Sequence, residues 1–236
     1  VLRYAASCGP GGGAARTLVA SSSEVYGKPE TDVFSEDDDV VYGSTTVTRW
    51  SYAAGKAIDE YLALAHHRER GLPVVVARFF NTVGPRQAGE YGMVLPRFVS
   101  AALAGRPLLV HGDGRQSRCF CDVRDVAPAL PRLLETPGCA GRIFNLGSDR
   151  AISIADLAAL VVRVLQSPSE VRRVPYETAY PAGFEDIRRR RPDLRRVREA
   201  IGFAPRIELE RTIADLAREL SRADAPAPSA HGSADR

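Results

Sequence analysis

Two short apolar runs enclose one long helical pattern near the start of the chain. Residues 17–20 predict a buried strand, and residues 74–80 are apolar on both faces, as is typical of a central strand in a parallel sheet. Between them, residues 49–70 carry an apolar stripe at the helical period, formed by Ile58, Tyr61, Leu62 and Ala65. Strand, helix and strand in this order form a βαβ unit. The pattern therefore predicts an α/β fold built on a doubly wound parallel sheet.

Beyond residue 81 the apolar runs become shorter and less regular. The elements predicted there are a helix at about 95–104, strands at 108–110 and 143–146, a helix opening at Ser153, a helix between Asp193 and Gly202, and a last helix at 209–220. Ser153 and Asp156 fit a capping box at the start of their helix. Residues 223–236 are rich in Ala, Pro and Ser, a composition that predicts a disordered tail.

A glycine-rich turn at residues 8–16 precedes the first predicted strand. Gly9, Gly11 and Ala14 have the spacing of a dinucleotide-binding loop, but such a loop must follow a strand and open a helix. Here the glycines follow the end of a predicted helix and lead into a strand, so we interpret them as a flexible connection. Because the only methionine is Met93, we expect the chain to be the later part of a longer protein.

Composition argues against several classes of function. A net charge of +3 over 236 residues is too small to predict nucleic-acid binding, and no apolar run approaches the length of a membrane span. The four cysteines include no Cys-x-x-Cys pair, which favours reduced thiols in a cytoplasmic protein. His66 and His67 have no evident third ligand, so they predict exposed helix surface rather than a metal site.

Candidate catalytic side chains lie at the first strand end and on the long helix. Residues 21–27 read Ser-Ser-Ser-Glu-Val-Tyr-Gly and begin a polar stretch that reaches residue 49, a length that is commonly functional. Tyr52 and Lys56 are four residues apart, so a helix presents them on one face. An ammonium beside a phenol favours the phenolate, which makes this pair a candidate general base. Asn81 leaves the next strand at the same sheet edge, where such folds bind ligands.

These residues resemble a known family when they are taken in order. The chain is similar to extended short-chain dehydrogenase/reductases of the NAD-dependent sugar epimerase/dehydratase family in the run at 21–27, the pair Tyr52 and Lys56, Phe-Asn-Thr-Val-Gly-Pro-Arg at 80–86, Gly-Asp-Gly at 112–114 followed by Arg118, and Arg-Arg-Pro-Asp at 190–193. The resemblance covers residues 1 to about 220. Within the family the chain is most similar to UDP-glucuronate decarboxylases of the UDP-xylose synthase type.

The resemblance implies a reaction that begins with oxidation of a nucleotide sugar at C4, with NAD as cofactor. Tyr52 is implied as the base, Lys56 as its partner and a contact to the nicotinamide ribose, and Ser22 as a hydrogen-bond donor to the reacting oxygen. Ser21 and Phe79 are implied as further cofactor-binding residues. On its own, a Tyr and Lys pair at this spacing is commonly a surface pair, so the assignment depends on the Ser-Glu run upstream.

Ser23 and Glu24 distinguish among the reactions of the family. The resemblance implies Asp-Glu at this place in 4,6-dehydratases and Ser-Glu in decarboxylases, which favours decarboxylation of UDP-glucuronate to UDP-xylose or its 4-keto precursor. Glu24 is then expected to position the sugar and to govern the proton at C5; its plainer alternative is a solvated carboxylate. A UDP-glucose or UDP-glucuronate 4-epimerase is the alternative reaction. A non-catalytic remnant that binds nucleotide sugar weakly or not at all is the second alternative.

The resemblance also implies a division of the chain. Residues 1–80 correspond to the later part of an NAD-binding Rossmann domain, residues 81–222 mainly to a substrate domain, and residues 223–236 to a tail. The implied contacts to the nucleotide sugar are Asn81, Arg86, Val94, Arg97, Arg118 and Arg190. The plainer alternatives are a turn cap for Asn81 and a solvated surface for the arginines.

The resemblance finally implies what accompanies these residues in the family. The glycine-rich βαβ part that holds the adenosine and pyrophosphate of NAD has no counterpart in these 236 residues, so we expect the chain alone to bind NAD poorly or not at all. A homodimer is also expected, because the helix that carries Tyr52 forms half of a four-helix interface in this family.

Overall fold

The structure is a computed structural model and describes residues 1–87, 93–175 and 190–223. Its helices are α1 (Leu2–Ala5), α2 (Arg49–Arg70), α3 (Val94–Leu103), α4 (Val123–Val126), α5 (Ala129–Glu135), α6 (Ile154–Leu165), α7 (Arg195–Ile201) and α8 (Leu209–Ala223). Its strands are β1 (Thr17–Ser22), β2 (Val33–Phe34), β3 (Val74–Phe79), β4 (Thr82–Val83), β5 (Leu108–His111), β6 (Ser117–Cys119), β7 (Cys121–Asp122), β8 (Arg142–Leu146), β9 (Ala151–Ser153), β10 (Val171–Val174) and β11 (Arg191–Pro192). The predicted α/β class is confirmed; the predicted tail lies outside the described residues except for its first residue.

A parallel sheet in the order β1-β3-β8 forms the centre of the fold. Ser22 pairs with Phe79, and Phe79 pairs with Leu146, so the three strands end side by side at one edge. Helix α2 is the crossover from β1 to β3, which confirms the predicted βαβ unit. The strand predicted at 17–20 is two residues longer, because Ser21 and Ser22 continue the ladder to β3 although they end the apolar run.

Helix α2 begins and ends where the pattern predicts, but its apolar stripe does not face the sheet. Ile58, Tyr61 and Leu62 are 57%, 65% and 52% exposed. The buried residues of the helix are Trp50, Ala53, Ala57, Glu60 and Ala63. Alanines let a helix lie close to a densely packed sheet, so they occupy the inner face and leave the larger apolar side chains on the outer one.

The polar stretch at residues 21–49 is more ordered than its composition predicts. It begins with a 3₁₀ turn at Ser23–Tyr26, and its strand β2 pairs in parallel with β11, far along the chain. Its apolar residues join a buried cluster formed by Val25, Tyr26, Phe34, Trp50 and Phe80. The rings of Tyr26 and Phe34 lie 4.9 Å apart between centroids, tilted against each other. This aromatic cluster fixes the stretch under the edge where the strands end.

A second hydrophobic core lies among α3, α6 and α8. Ser153 caps the start of α6 as predicted: its hydroxyl accepts from the Asp156 N–H at 3.0 Å and donates to the Asp156 carboxylate at 2.6 Å. Leu157 and Val161 of this helix are fully buried, and Ile154 is 7% exposed, so its predicted inward face is confirmed. Strands β5 and β10 pair in parallel beside this core. The core supports one wall of the cleft described below.

The two histidines of α2 are less exposed than the sequence predicts. His67 Nδ1 lies 2.8 Å from the Leu72 carbonyl oxygen, and both His66 and His67 are half-buried. For His67, the prediction of exposure was wrong because Gly71 adopts a left-handed conformation, with φ of 65°, and turns the chain back over the helix end. Across the three described ranges, no group of three or more candidate ligand side chains is arranged to hold a metal ion. Within the same ranges, no helix is both long and apolar enough to cross a membrane.

Candidate active site

The end of β1 turns directly into the 3₁₀ turn that carries Glu24. The Ser22 hydroxyl accepts a hydrogen bond from the Glu24 N–H at 3.2 Å and so caps this turn. Gly27 closes the turn with a φ of 69°, and a Cβ added there would overlap the Val41 carbonyl oxygen. The Ser-Ser-Ser-Glu-Val-Tyr-Gly run therefore forms one compact corner at the sheet edge.

Glu24 is held between two arginines from distant parts of the chain. Its Oε1 lies 2.6 Å from Arg190 Nη1, and its Oε2 lies 3.4 Å from Arg49 Nη2. Burial alone raises the pKa of Glu24, but the positive charges of Arg190 and Arg49 outweigh burial and hold that pKa below its usual range. Glu24 is therefore ionised at neutral pH.

Arg190 is placed by a short strand pair. It directly precedes β11, and the pairing of β11 with β2 brings it to the corner that carries Glu24. The Arg190 side chain is 5% exposed, and its Nε is buried without a hydrogen-bond partner among the described residues. A buried donor without a partner costs free energy, and an anionic ligand in the adjoining cleft can satisfy it.

A cleft of about 950 Å³ opens beside Glu24, between the sheet edge and the second core. Its described lining includes Glu24, Arg49, Asn81, Val94, Arg97, Phe98, Arg106, His111, Arg118, Phe120, Arg172 and Arg190. Among the described residues that line the cleft, Glu24 is the only acidic one, whereas several are arginines. Burial and then the neighbouring Arg97 lower the pKa of His111. The cleft is therefore basic and suits an anionic ligand with an apolar part.

The structure brings most of the predicted substrate contacts to this cleft. Asn81, Val94, Arg97, Arg118 and Arg190 all line it. The Asn81 amide also donates to the Cys119 carbonyl oxygen at 3.2 Å, which fixes its orientation. The exception is Arg86, which is exposed and lies outside the described lining. From α3, nearly every residue between Val94 and Ala101 lines the cleft, so the first two turns of this helix form one of its walls.

Tyr52 and Lys56, the predicted catalytic base and its partner, lie beside β1 and outside the described lining of the cleft. Tyr52 is 55% exposed, so its side chain is accessible to a ligand. Lys56 Nζ donates to the Ala20 carbonyl oxygen at 3.1 Å and to the Asp59 carboxylate at 3.3 Å. The helix thus attaches to the strand end through the lysine, close to Ser22. Tyr52, Lys56 and the end of β1 form one accessible ledge.

The other predicted residues near the strand end are more enclosed. The Ser21 hydroxyl donates to the Glu60 carboxylate, and Ser23 is 3% exposed. Phe79 is half-buried and packs against the hydrophobic core beneath β3. In this structure the accessible hydroxyl of the serine run is that of Ser22, which is half-buried.

The donor groups on the ledge fit the nicotinamide ribose of a dinucleotide. An ammonium and a phenol on one helix face can bind ribose hydroxyls. The glycine-rich turn does not offer a phosphate cradle: the Gly9 N–H donates to the Gly13 carbonyl oxygen at 2.7 Å, and the turn leads into β1 instead of a helix. The turn is therefore a connection that leads into β1, and its flexibility stays a prediction.

Arg49 was not among the predicted site residues. Its position three residues before Tyr52 places it one helical turn away, and this spacing is the signal that could have identified it. The guanidinium also lies 5.7 Å from the centroid of the Trp50 ring, which restricts its movement.

The fold is of the Rossmann type, with a parallel sheet whose strand ends lie beside a basic cleft. Residues 1–147 match the model of the NAD dependent epimerase/dehydratase family, and the chain belongs to this family. The sequence-based assignment to the family is confirmed.

Two curated relatives illustrate the similarity. The chain is 44% identical to the UDP-N-acetyl-alpha-D-glucosaminuronate decarboxylase of Bacillus cytotoxicus, over 84% of this chain and 61% of the relative. It is 33% identical to the UDP-glucuronic acid decarboxylase 6 of Arabidopsis thaliana, over 83% of this chain and 54% of the relative. The chain thus spans less than two thirds of the length of these relatives.

Solved structures with similar folds include epimerases. A UDP-N-acetylglucosamine 4-epimerase from Methanobrevibacter ruminantium, in complex with UDP-N-acetylmuramic acid, matches with a TM-score of 0.77 and 28% identity, over 89% of this chain and 64% of that one. MoeE5 in complex with UDP-glucuronic acid and NAD matches with a TM-score of 0.76 and 29% identity, over 89% of this chain and 66% of that one.

Proposed function

We propose that this chain belongs to an NAD-dependent decarboxylase of a UDP-uronate, with UDP-glucuronate and its 2-acetamido counterpart as the first substrates to compare. The observation that carries this proposal is the ionised Glu24 between Arg190 and Arg49 on a basic cleft. A uronate brings a carboxylate and two phosphates, which these arginines can bind. The two decarboxylases among the relatives support the same reaction.

Oxidation of the sugar at C4 depends on Tyr52. Its phenolate takes the proton of the C4 hydroxyl while a hydride leaves the same carbon. Bound NAD would supply the hydride acceptor, and Tyr52 and Lys56 are the residues of this chain that would hold its nicotinamide ribose. Lys56 stabilises the phenolate and holds the ribose, and Ser22 donates a hydrogen bond to the C4 oxygen. We propose that these three side chains act together near the contact of α2 with the end of β1, where Lys56 bonds to the Ala20 carbonyl oxygen.

Loss of CO₂ then follows from the position of the new ketone. The substrate carboxylate is β to the C4 carbonyl, so when the C5–C6 bond breaks its electron pair forms a C4–C5 double bond. The carbonyl π pair moves onto the C4 oxygen, which leaves an enolate and CO₂. Arg190 binds the carboxylate and orients the bond to be broken. Glu24 positions the sugar and governs delivery of a proton to C5, which restores the ketone.

A 4-epimerase is the second candidate, and the similarity to a solved UDP-N-acetylglucosamine 4-epimerase favours it. Epimerisation uses the same Tyr52, Lys56 and Ser22, and needs only rotation of the ketone before the hydride returns. It gives no role to a carboxylate that two arginines hold, which is why decarboxylation accounts better for Glu24.

Product analysis separates these candidates. The full-length protein is incubated with NAD and, separately, with UDP-glucuronate, UDP-N-acetylglucosaminuronate and UDP-glucose, and the products are identified by NMR. A UDP-pentose, or its 4-keto precursor, from a uronate and no conversion of UDP-glucose support decarboxylation. Six-carbon products inverted at C4 support the epimerase. No product from any substrate favours the non-catalytic alternative.

The assembly is proposed to be a homodimer of cytoplasmic protein. The outer face of α2, with Ile58, Tyr61 and Leu62, is an apolar surface of the kind that marks protein interfaces. All four cysteines are free thiols, which accords with a reducing compartment.

A further inference from the structure

A buried ion pair lies directly behind the strand end that carries the candidate catalytic residues. Glu60 of α2 and Arg78 of β3 are each 5% exposed. The Glu60 carboxylate accepts from Arg78 Nε at 3.0 Å and from Arg78 Nη2 at 2.7 Å, so the contact is bidentate. It also accepts from the Ser21 hydroxyl. One carboxylate therefore joins the helix to both neighbouring strands.

Stability alone is a weak explanation for such a pair. Removing two charges from water is costly, and apolar residues of similar volume at such a site are often neutral or stabilising. The pair instead lies where it can fix the rotation of α2 about its own axis. Glu60 lies one helical turn after Lys56 and two turns after Tyr52. Lys56 bonds to Ala20 and Glu60 to Ser21, so successive turns of α2 attach to successive residues of β1.

Arg78 also holds the segment that carries Glu24. Its Nη1 donates to the Glu36 carbonyl oxygen at 3.1 Å, and its guanidinium lies 4.6 Å from the centroid of the Tyr26 ring. Tyr26 is two residues beyond Glu24 in the same 3₁₀ turn, and its hydroxyl donates to Asn145 at 2.7 Å. The Arg78 guanidinium thus contacts Glu60, on the helix that carries Tyr52, and also Tyr26, in the turn that carries Glu24.

We propose that Glu60 and Arg78 are positioning residues that set the geometry of Tyr52 and Lys56 relative to Ser22 and Glu24. Neither side chain is among the described residues that line the cleft, so they act through the elements they join. The inference rests on the proposed function only in taking Tyr52 as the base. Displacement of a reacting group by about 1 Å can cost about 100-fold in rate, which sets the scale of the expected effect.

The test compares three changes in the full-length protein. In the paired variant, Glu60→Leu with Arg78→Met, both charges are removed together, so Tm stays close to that of the unmodified protein. We expect kcat to fall about 10- to 100-fold while KM for the UDP-uronate stays the same. Glu60→Gln keeps the size and some hydrogen bonds, so it loses less activity. Glu69→Gln, the same change at an exposed position of the same helix, leaves kcat unchanged.

Hydrogen exchange supplies a second readout that does not depend on turnover. In the paired variant, and less strongly in Glu60→Gln, the amides of residues 49–58 exchange faster, while those of β3 keep their protection. Unchanged kcat and unchanged exchange in a folded variant overturn the inference. A loss of kcat with an equal loss of Tm and of protection throughout the fold also overturns it, because the pair is then merely structural. If the unmodified protein converts no UDP-uronate, the proposed function fails, and the exchange data still decide this inference.

Discussion

Glu24 is the residue on which the choice of reaction depends. It is ionised because Arg190 and Arg49 outweigh its burial, and it lies two residues after Ser22, the last residue of β1. Tyr52, by contrast, is accessible on the neighbouring helix and has a role in either candidate reaction. Tyr52 is thus the group that either candidate reaction requires, and Glu24 is the group that favours loss of CO₂.

Replacing Tyr52 by Phe removes the base and leaves the shape of the site unchanged. We expect the full-length Tyr52→Phe protein to lose at least about 100-fold in kcat, the usual contribution of a general base, and to bind UDP-uronate almost normally. Steady-state kinetics and calorimetric titration measure the two properties. Tyr61→Phe, on the outer face of the same helix, is the control. Full turnover by Tyr52→Phe would show that another group is the base.

The contact of Arg190 with Glu24 predicts how kcat/KM depends on pH. Without Arg190, burial acts on Glu24 with less opposition, so the pKa of Glu24 rises in Arg190→Met. Because activity needs the carboxylate ionised, the acidic limb of the kcat/KM profile moves to higher pH, in addition to a lower overall rate. Arg191→Met, at the exposed neighbouring position, leaves the limb in place. An unmoved limb in Arg190→Met contradicts the assignment of that limb to Glu24.

At the scale of elements, the site is a corner built by one strand end, one turn and one helix. Strand β1 and helix α2 were predicted from apolar pattern, and the end of α2 was predicted at the correct residue because glycine and proline stop a helix. The face of α2 was not predicted, because periodicity identifies a stripe but not what packs against it. The pairing of β2 with β11 was also missed, since two-residue strands carry no pattern.

The same limit applies to the buried charges. Arg78 lies inside an apolar run and Glu60 inside a helix, and neither local pattern indicates that they meet. The serine, glutamate, tyrosine and lysine of the site were predicted, because their spacing is set within short segments. Arg49 was not predicted as a site residue, and its contact with Glu24 depends on tertiary packing.

The turn after β1 gives a prediction about stability. Gly27 has φ of 69° and a Cβ there would overlap the Val41 carbonyl oxygen, so Gly27→Ala destabilises the protein by more than about 1 kcal/mol. Gly55 lies inside α2 with no neighbouring atom within 4 Å, so Gly55→Ala stabilises it by up to about 1 kcal/mol. Urea unfolding of both variants measures the difference. Equal stability of the two variants would contradict the tight closure of this turn.

At the scale of the whole molecule, the cleft lies between two hydrophobic cores. One supports the parallel sheet and the strand ends, and the other supports the α3 wall of the cleft. The apolar part of the cleft lining comes from the second core, through residues such as Leu95, Phe98 and Phe120, and Glu24 lies at the sheet-edge corner of the cleft. The outer face of α2 remains available to a second copy of the chain.

The assembly can be tested on that face. Tyr61→Glu places a charge on an apolar surface, so we expect the proposed dimer of the full-length protein to dissociate to a monomer in light scattering coupled to size exclusion. Glu69→Ala, an exposed change on the same helix, leaves the dimer intact. A monomeric unmodified protein, or a Tyr61→Glu protein that stays dimeric, contradicts this interface.

Carbon balance tests the proposed decarboxylation of a UDP-uronate most directly. The full-length protein is incubated with NAD and a UDP-uronate labelled with ¹³C at C6, and the label is followed in gas and in product. The proposed reaction releases ¹³CO₂ in step with consumption of substrate, and it leaves an unlabelled sugar nucleotide with one carbon fewer. Retention of the label in a six-carbon product with C4 inverted contradicts decarboxylation and establishes the epimerase in its place.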